Sequence, residues 1–414
     1  MSSLLGAVLA FAFLSSEAAR LLGLEGLRTA AFLVALAALL TGAAVRSPRF
    51  PAREPTVPIL LALMLTAIVV TDGLAGEVDP SDYRIALLLL VFLAAPLLTA
   101  ALATVEVALL VWRLLAGYVL ATAFVGLVAM PEVFVRGRAD LVRIDFSGSL
   151  VSHTGLCLIF LLATLGRMRE RADAPARILL GGAALLALLM VLLTGTRTAL
   201  VTFGCYLLLD VASDPERHRA FRRLGLASLG ATAALALYTI LVSDDFVERL
   251  MVGSSDDWSS GRLDSQLRWL AMALEQPLGL GFGAVRELLR DGRPAIDGTR
   301  LLEWPHNEPV RFFVEAGVVG LGFVLLLLGW STGRALQAAR HERSPLRRAL
   351  LLAIVADMLG QSLFQNYFNS IYYATALLLV AVVLVEQAGT RPADSLSSPA
   401  SEHDRPLLRR GAAP

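Results

Sequence analysis

Apolar residues of this chain fall in blocks of roughly 17–22 residues, the length that crosses a bilayer as a helix. The polar stretches between most blocks are short, and several contain proline or clustered arginine. The pattern predicts an all-α, polytopic membrane domain over residues 1–388, with about twelve spans. The predicted spans are 3–19, 27–45, 57–74, 84–102, 104–128, 147–166, 178–194, 199–212, 224–242, 309–330, 347–365 and 370–387.

One connection is much longer than the others and has a helical pattern of its own. Residues 243–308 separate spans nine and ten, and loops longer than about 15 residues are usually functional or disordered. Within it, "RLDSQLRWLAMALEQ" places leucines on one apolar stripe at positions 263, 267, 270 and 274. We expect an amphipathic helix on the outer membrane face, ended by Pro277 and "GLGFG". The Pro/Ser-rich residues 389–414 predict a disordered cytoplasmic tail.

Composition agrees with a membrane protein, and arginine placement gives its orientation. The chain is 56% hydrophobic and 17% charged, against about 25% charged in soluble domains. All 36 basic residues are arginine, and they crowd into alternate short loops, which predicts that both termini are cytoplasmic. The first block reads as a retained helix rather than a signal peptide. The net charge of +1 by itself says nothing about nucleic acid, and we expect no nucleic-acid partner for a membrane protein of this kind. Cys157 and Cys205 lie in apolar runs that imply no disulfide framework.

Three arginines lie at the predicted outer face. Arg197 occupies the turn "GTRT" between two apolar runs, where an arginine is costly unless it snorkels or meets an anion. Its guanidinium group could reach lipid headgroups, or it could bind a phosphate, whose oxygens it matches two at a time. Arg262 and Arg268 are six residues apart on the predicted outer helix, so they point in different directions.

His306 is the candidate general base. Of five histidines, only His153 and His306 are placed at the outer face by this topology, and imidazole is suited to accepting a proton near neutral pH. Asn307 or Glu308 could orient the ring, and Glu308 could raise its basicity, with Arg311 close by. The alternative is a histidine that is only a satisfied polar residue.

A metal site is the weaker interpretation of the outer polar residues. Asp72, Asp79 and Asp82, between spans three and four, could hold a hard cation through oxygen ligands. Acidic residues are also ordinary in an outside loop, so we expect no metal and no cofactor.

Three short elements follow one another between residues 190 and 325. They are "GTRTAL", then "GRLDSQLRWLAMALEQPLGLGFG", then "HNEPVRFFVEAGVVG". In this order they resemble a Ser/Thr-Arg turn, an arginine that opens a helix before proline and spaced glycines, and a His-Asn element followed by Glu315, Gly317 and Gly320. This is the pattern of the O-antigen ligase and polymerase family of bacterial glycosyltransferases. Gln266 departs from it, since the family often has an aromatic residue there.

The resemblance implies a lipid A–core O-antigen ligase of the bacterial inner membrane, with a periplasmic active site. Arg197 and Arg262 would bind the pyrophosphate of an undecaprenyl-pyrophosphate-linked glycan, and His306 would deprotonate a hydroxyl of the lipid A–core oligosaccharide. The spacing to Pro277 favours Arg262 over Arg268 as the working loop arginine. The other predicted substrate-binding residues are Arg268, Asn307, Glu308 and Arg311.

Several alternatives stay open. An O-antigen polymerase or a protein O-oligosaccharyltransferase would use the same donor with another acceptor, and no motif in the sequence identifies the acceptor. A lipid-linked sugar transporter would also need interfacial arginines, although the chain lacks the internal repeat of many transporters. A metal-dependent transferase using Asp72, Asp79 and Asp82 would be inhibited by EDTA.

Overall fold

The structure of the chain is a computed structural model. It describes residues 60, 61, 63, 64, 66–68, 106–129, 150–171, 173–193, 196–214, 262–290, 305–365, 367 and 371–390. Predicted spans 3–19, 27–45, 84–102 and 224–242 lie outside the described residues. So do Asp72, Asp79 and Asp82, most of span 57–74, and residues 391–414.

Every regular element in the described ranges is a helix, as the sequence predicts. The helices are α1 (Val107–Ala129), α2 (Leu150–Glu170), α3 (Ala174–Leu193), α4 (Arg197–Ser213), α5 (Arg262–Glu275), α6 (Ala284–Arg290), α7 (Glu308–His341), α8 (Pro345–Phe364) and α9 (Ile371–Thr390). Among them α1, α3 and α7 are long and apolar enough to cross a membrane, and α4 and α9 contain shorter apolar stretches. The total of twelve spans and the long periplasmic loop stay predictions.

Helix α8 forms the centre of the bundle. It packs against α1, α2, α4, α7 and α9, and its residues from Ala349 to Ser362 are buried with the exception of Leu359. Its start is well specified, because Ser344 accepts from the Arg347 amide and Pro345 stands at the first helical position. The buried side chains of α8 therefore provide the main packing surface for the neighbouring helices.

Polar contacts join the helix ends on the side of the bundle where α2 ends and α8 begins, here the Glu170 end. The Glu170 carboxylate accepts from the Ser344 hydroxyl and from the Leu346 amide, the latter at 3.1 Å. Burial raises the pKa of Glu170, but these hydrogen bonds and Arg167 outweigh it and hold that pKa below its usual value. Arg347 contacts Glu106 at 2.6 Å and Arg348 contacts Asp210 at 3.0 Å. Arg347 and Arg348 belong to the arginine-rich stretch 334–348, which the sequence predicts to lie on the cytoplasmic side.

Helix α7 is interrupted near its start. Its 34 residues would measure about 51 Å as one straight helix, well beyond the roughly 30 Å of a hydrocarbon core. Non-helical backbone at Ala316 (φ −124°, ψ 17°) and Gly317 (φ 61°, ψ −153°) separates residues 308–315 from residues 318–341. The freed backbone groups need new partners, because water is scarce there.

The loop after α5 supplies those partners. The amides of Leu280 and Gly281 donate to the carbonyls of Val314 (2.9 Å) and Glu315 (3.0 Å), and the Val318 amide donates to the Pro277 carbonyl at 3.0 Å. A Cβ added to Gly317 would lie 2.3 Å from the Pro277 carbonyl oxygen. The "GLGFG" turn thus inserts its backbone into the break of α7.

Helix α5 packs on the first part of α7 with a face that the leucine pattern did not predict. Trp269 and Ala273 are buried against Phe313 and Val314. Leu267 and Leu274, from the predicted stripe, are 55% and 65% exposed. The predicted amphipathic helix is therefore present. It packs through Trp269, Ala273 and the partly buried Leu270 of the predicted stripe, whereas Leu267 and Leu274 stay largely exposed.

We predict that Gly317→Ala destabilises the protein by at least about 2 kcal/mol, because this backbone region is open almost only to glycine and the added methyl meets Pro277. Thermal unfolding in detergent, followed by tryptophan fluorescence, measures the effect. The matched control is Gly329→Ala in the same helix, where an added Cβ meets nothing within 4 Å. Equal melting temperatures for the two variants would contradict this account of the break.

Candidate active site

The first turn of α4, which carries Arg197, is hydrogen-bonded to two other helices. Thr196 is the N-cap of α4 in extended backbone, and its hydroxyl lies 2.8 Å from that of Thr154 in α2. Thr198 accepts from the Gln365 amide at 2.9 Å, and Gln365 is the C-cap of α8. Arg197, the first residue of α4, therefore stands on a turn with a defined position.

His306 precedes α7 in unusual backbone. Its φ is +43°, and no other non-glycine residue of the described chain has a positive φ. Left-handed backbone is uncommon outside glycine, although histidine adopts it more often than most residues. Such conformations concentrate at functional sites, because the surrounding structure must hold them. The side chain of His306 is partly exposed.

Asn307 holds the His306 segment in place. Its Oδ1 accepts from the Val310 amide at 3.0 Å, so it is the N-cap of α7. Its Nδ2 donates to the Leu363 carbonyl at 3.0 Å, near the end of α8. One amide side chain thus satisfies the start of one helix and the end of another.

The structure thereby gathers two predicted elements that are more than a hundred residues apart in sequence. Leu363 and Gln365, at the end of α8, hold Asn307 and Thr198, which are the immediate neighbours of His306 and Arg197. We call this side of the bundle the His306 end. The N-termini of α4 and α7 both lie there, and helix N-termini favour anions.

Glu308 and Arg311 lie near the start of α7, and their side chains are buried rather than exposed to solvent. The Arg311 Nε donates to Glu315 at 3.1 Å and its Nη1 lies 3.6 Å from Glu308. Arg311, Glu308 and Glu315 are 6%, 0% and 1% exposed. Two carboxylates of the same helix thus offset the charge of Arg311, beneath the His306 segment. The substrate-binding roles of Asn307, Glu308 and Arg311 stay predictions.

The two loop arginines occupy different places on α5. Arg262 is its first residue, and the side chain of Arg268 is exposed. Because α5 packs on residues 313 and 314 of α7, the long loop places this helix beside the segment that follows His306.

A buried polar network beneath this end was not anticipated from the sequence. Asp357 accepts from Tyr373 and from Gln361, both at 2.5 Å. The signal in the sequence is a polar residue on every turn of an apolar run, at Asp357, Gln361 and Gln365. His153, expected at the outer face, is buried in α2 and lies 2.8 Å from the Tyr118 hydroxyl.

These features define a helical membrane protein with an arginine-bearing turn and a strained histidine at one end of its bundle. Residues 181–326 match the model of the O-antigen ligase family, so the family recognised from the sequence is confirmed over that segment. The segment contains Arg197, Arg262 and His306. No curated protein matches the chain.

Proposed function

We propose that the chain is a glycosyltransferase that moves O-antigen glycan from undecaprenyl pyrophosphate to a hydroxyl of lipid A–core at the periplasmic face. The observation that carries the proposal is the shared anchorage of the Arg197 turn and the His306 segment on the end of α8. The family match supports lipid-linked glycan transfer in general.

The Arg197 turn suits a pyrophosphate. A guanidinium group at the N-terminus of α4 combines a bidentate donor with the positive end of a helix dipole. In this proposal Arg197, with Arg262 from the outer loop, holds the pyrophosphate of the donor while the polyprenyl tail stays in lipid. The two arginines neutralise negative charge that grows as the pyrophosphate departs, an effect commonly worth about 3 kcal/mol per donor.

His306 then acts as general base. Its ring nitrogen takes the proton of the acceptor hydroxyl as that oxygen attacks the anomeric carbon of the donor sugar. A carbon–oxygen bond forms, the bond to the pyrophosphate breaks, and its electron pair leaves with the pyrophosphate. One displacement of this kind inverts the anomeric centre. The arginines supply the positive charge that a divalent metal supplies elsewhere, so the proposed reaction needs no metal.

The first test is the substitution His306→Asn. Asparagine tolerates left-handed backbone, so the fold should persist, while transfer should fall by about 100-fold or more because the base is lost. The assay uses purified protein in nanodiscs with undecaprenyl-pyrophosphate glycan and lipid A–core in EDTA. His341→Asn, at the far end of α7, is the matched control and should retain activity.

Each other outcome of this assay indicates a different mechanism or activity for this protein. Full transfer by His306→Asn would contradict the base assignment, and loss of wild-type activity in EDTA would indicate the metal-dependent alternative. Glycan that lengthens on the polyprenyl carrier indicates a polymerase. Glycan on protein hydroxyls indicates an oligosaccharyltransferase, and movement of intact donor across a vesicle membrane indicates a transporter.

Arg197→Lys tests the phosphate contact. Lysine keeps the positive charge but loses the planar fork, so we expect transfer to fall by about tenfold or more, with a higher KM for the donor and an unchanged KM for the acceptor. Arg177→Lys, at the Glu170 end, should leave both constants unchanged. A normal donor KM in Arg197→Lys would mean that Arg197 binds lipid headgroups instead.

Two substitutions in α5 distinguish the loop arginines. We expect Arg262→Ala to lower kcat for transfer by about 100-fold, as the loss of a charge-stabilising donor does, and Arg268→Ala to have a smaller effect. Both variants alter the same helix, so a general loss of loop structure would affect them equally. The reverse order of activities would assign the working role to Arg268.

A further inference from the structure

Helix α5 presents three kinds of surface around its circumference. Successive residues of a helix are about 100° apart, so Ala273, Leu274 and Glu275 point in three directions. Ala273 is buried with Trp269 against α7, whereas Leu274 and Glu275 are both exposed. The helix therefore has one side packed on the protein, one charged side and, between the two, an exposed apolar side.

Leucines form this exposed apolar side. Leu267 and Leu274 are seven residues apart, about two turns, so they lie on the same face of α5, and each is more than half exposed. Leu278, in the turn that follows the helix, is 85% exposed. We call these three residues the exposed leucine surface. Contiguous apolar surface that is left uncovered in this way marks a binding or membrane-contact site.

The exposed leucine surface adjoins a helix that has the length and apolarity of a membrane span. The Val318 amide donates to the Pro277 carbonyl at 3.0 Å, so Leu278 lies beside the point where α7 resumes after its break. Val318 and Leu325, seven residues apart on α7, are 55% and 54% exposed. An exposed apolar side of a spanning helix is the side that meets lipid. The leucines of α5 thus continue a lipid-facing surface.

The charged side of α5 agrees with a position at the membrane boundary. Arg268 and Glu275 are also seven residues apart, and both are exposed. A helix that lies in a membrane interface keeps its charged side in water and its apolar side in lipid. A protein partner docked on the leucines would also have to cover Val318 and Leu325, which a bilayer already covers. The continuity of the two surfaces therefore favours lipid as the occupant.

We propose that the exposed leucine surface lies in the lipid of the bilayer, at the membrane boundary on the His306 end. Helix α5 is then held on one side by α7 and on another by lipid. This contact does not depend on the glycan-transfer reaction. Its consequence rests on the proposed function, because lipid contact keeps Arg262, the first residue of α5, level with the headgroups, where the pyrophosphate of a lipid-linked donor lies.

Spin labels measure the lipid contact directly. Leu274→Cys and Glu275→Cys are made in a chain whose Cys157 and Cys205 are replaced by alanine, labelled with a nitroxide and placed in phospholipid nanodiscs without donor. Collisions with oxygen, which concentrates in lipid, are compared with collisions with a water-soluble nickel chelate. We expect an oxygen-to-nickel ratio at least about threefold higher at position 274 than at 275, because an interfacial helix buries its apolar face about 5–10 Å into the bilayer.

The contrary results are equally distinct. Equal ratios at the two positions would mean that α5 has no separate lipid-facing side and would overturn the proposal. If neither reagent reaches the label at position 274, protein covers the leucines, either another part of the chain or a second copy, and the proposal is wrong. Leu278→Cys provides an independent site and should behave like Leu274→Cys. Equal melting temperatures before and after labelling verify the fold, and a protein inactive in glycan transfer can be measured in the same way.

Discussion

The position of the candidate site depends on backbone groups that have no partner within their own helix. The first amides and last carbonyls of any helix lack intrahelical partners, and in an apolar bundle water does not readily supply them. Asn307 meets both needs, because its oxygen caps α7 and its amide group satisfies the Leu363 carbonyl of α8. The bonds that complete the two helices therefore fix Asn307, the residue next to His306, at the end of α8.

Close helix packing makes the rest of this arrangement possible. A Cβ added to Gly155 of α2 would lie 2.0 Å from the Tyr373 hydroxyl and 2.7 Å from Asp357. The absence of a side chain at this position lets α2 approach α8, and the next-door Thr154 then reaches Thr196 at the start of α4. Small residues serve the same purpose at many helix contacts in membranes. Two contacts thus position the Arg197 turn. Thr154 of α2 lies within hydrogen-bond distance of Thr196, and Gln365 of α8 donates to Thr198.

The sequence predicted the parts of this site better than their assembly. Hydropathy locates α7 and α8 because a helix that crosses lipid needs a long apolar run, and the motif order identifies Arg197 and His306. Three features escaped that reasoning. The break at Gly317 depends on a loop some forty residues earlier. The packing face of α5 is centred on Trp269 and takes Leu270 from the predicted stripe, and Asp357 lies beside Gly155 and Tyr373. Each is a contact between distant segments, which local periodicity does not record.

Asp357 also bears on the electrostatics of the His306 end, because it is buried on the same helix as Gln365. Asp357 lies eight residues before Gln365 on α8, about 12 Å along the helix axis. An uncompensated carboxylate at that distance would oppose each unit of negative charge on a bound pyrophosphate by about 1 kcal/mol at an effective dielectric constant of about 20. That penalty is comparable to what one helix N-terminus contributes in favour of an anion. A pyrophosphate site built on the starts of α4 and α7 therefore works best when the buried carboxylate is neutralised.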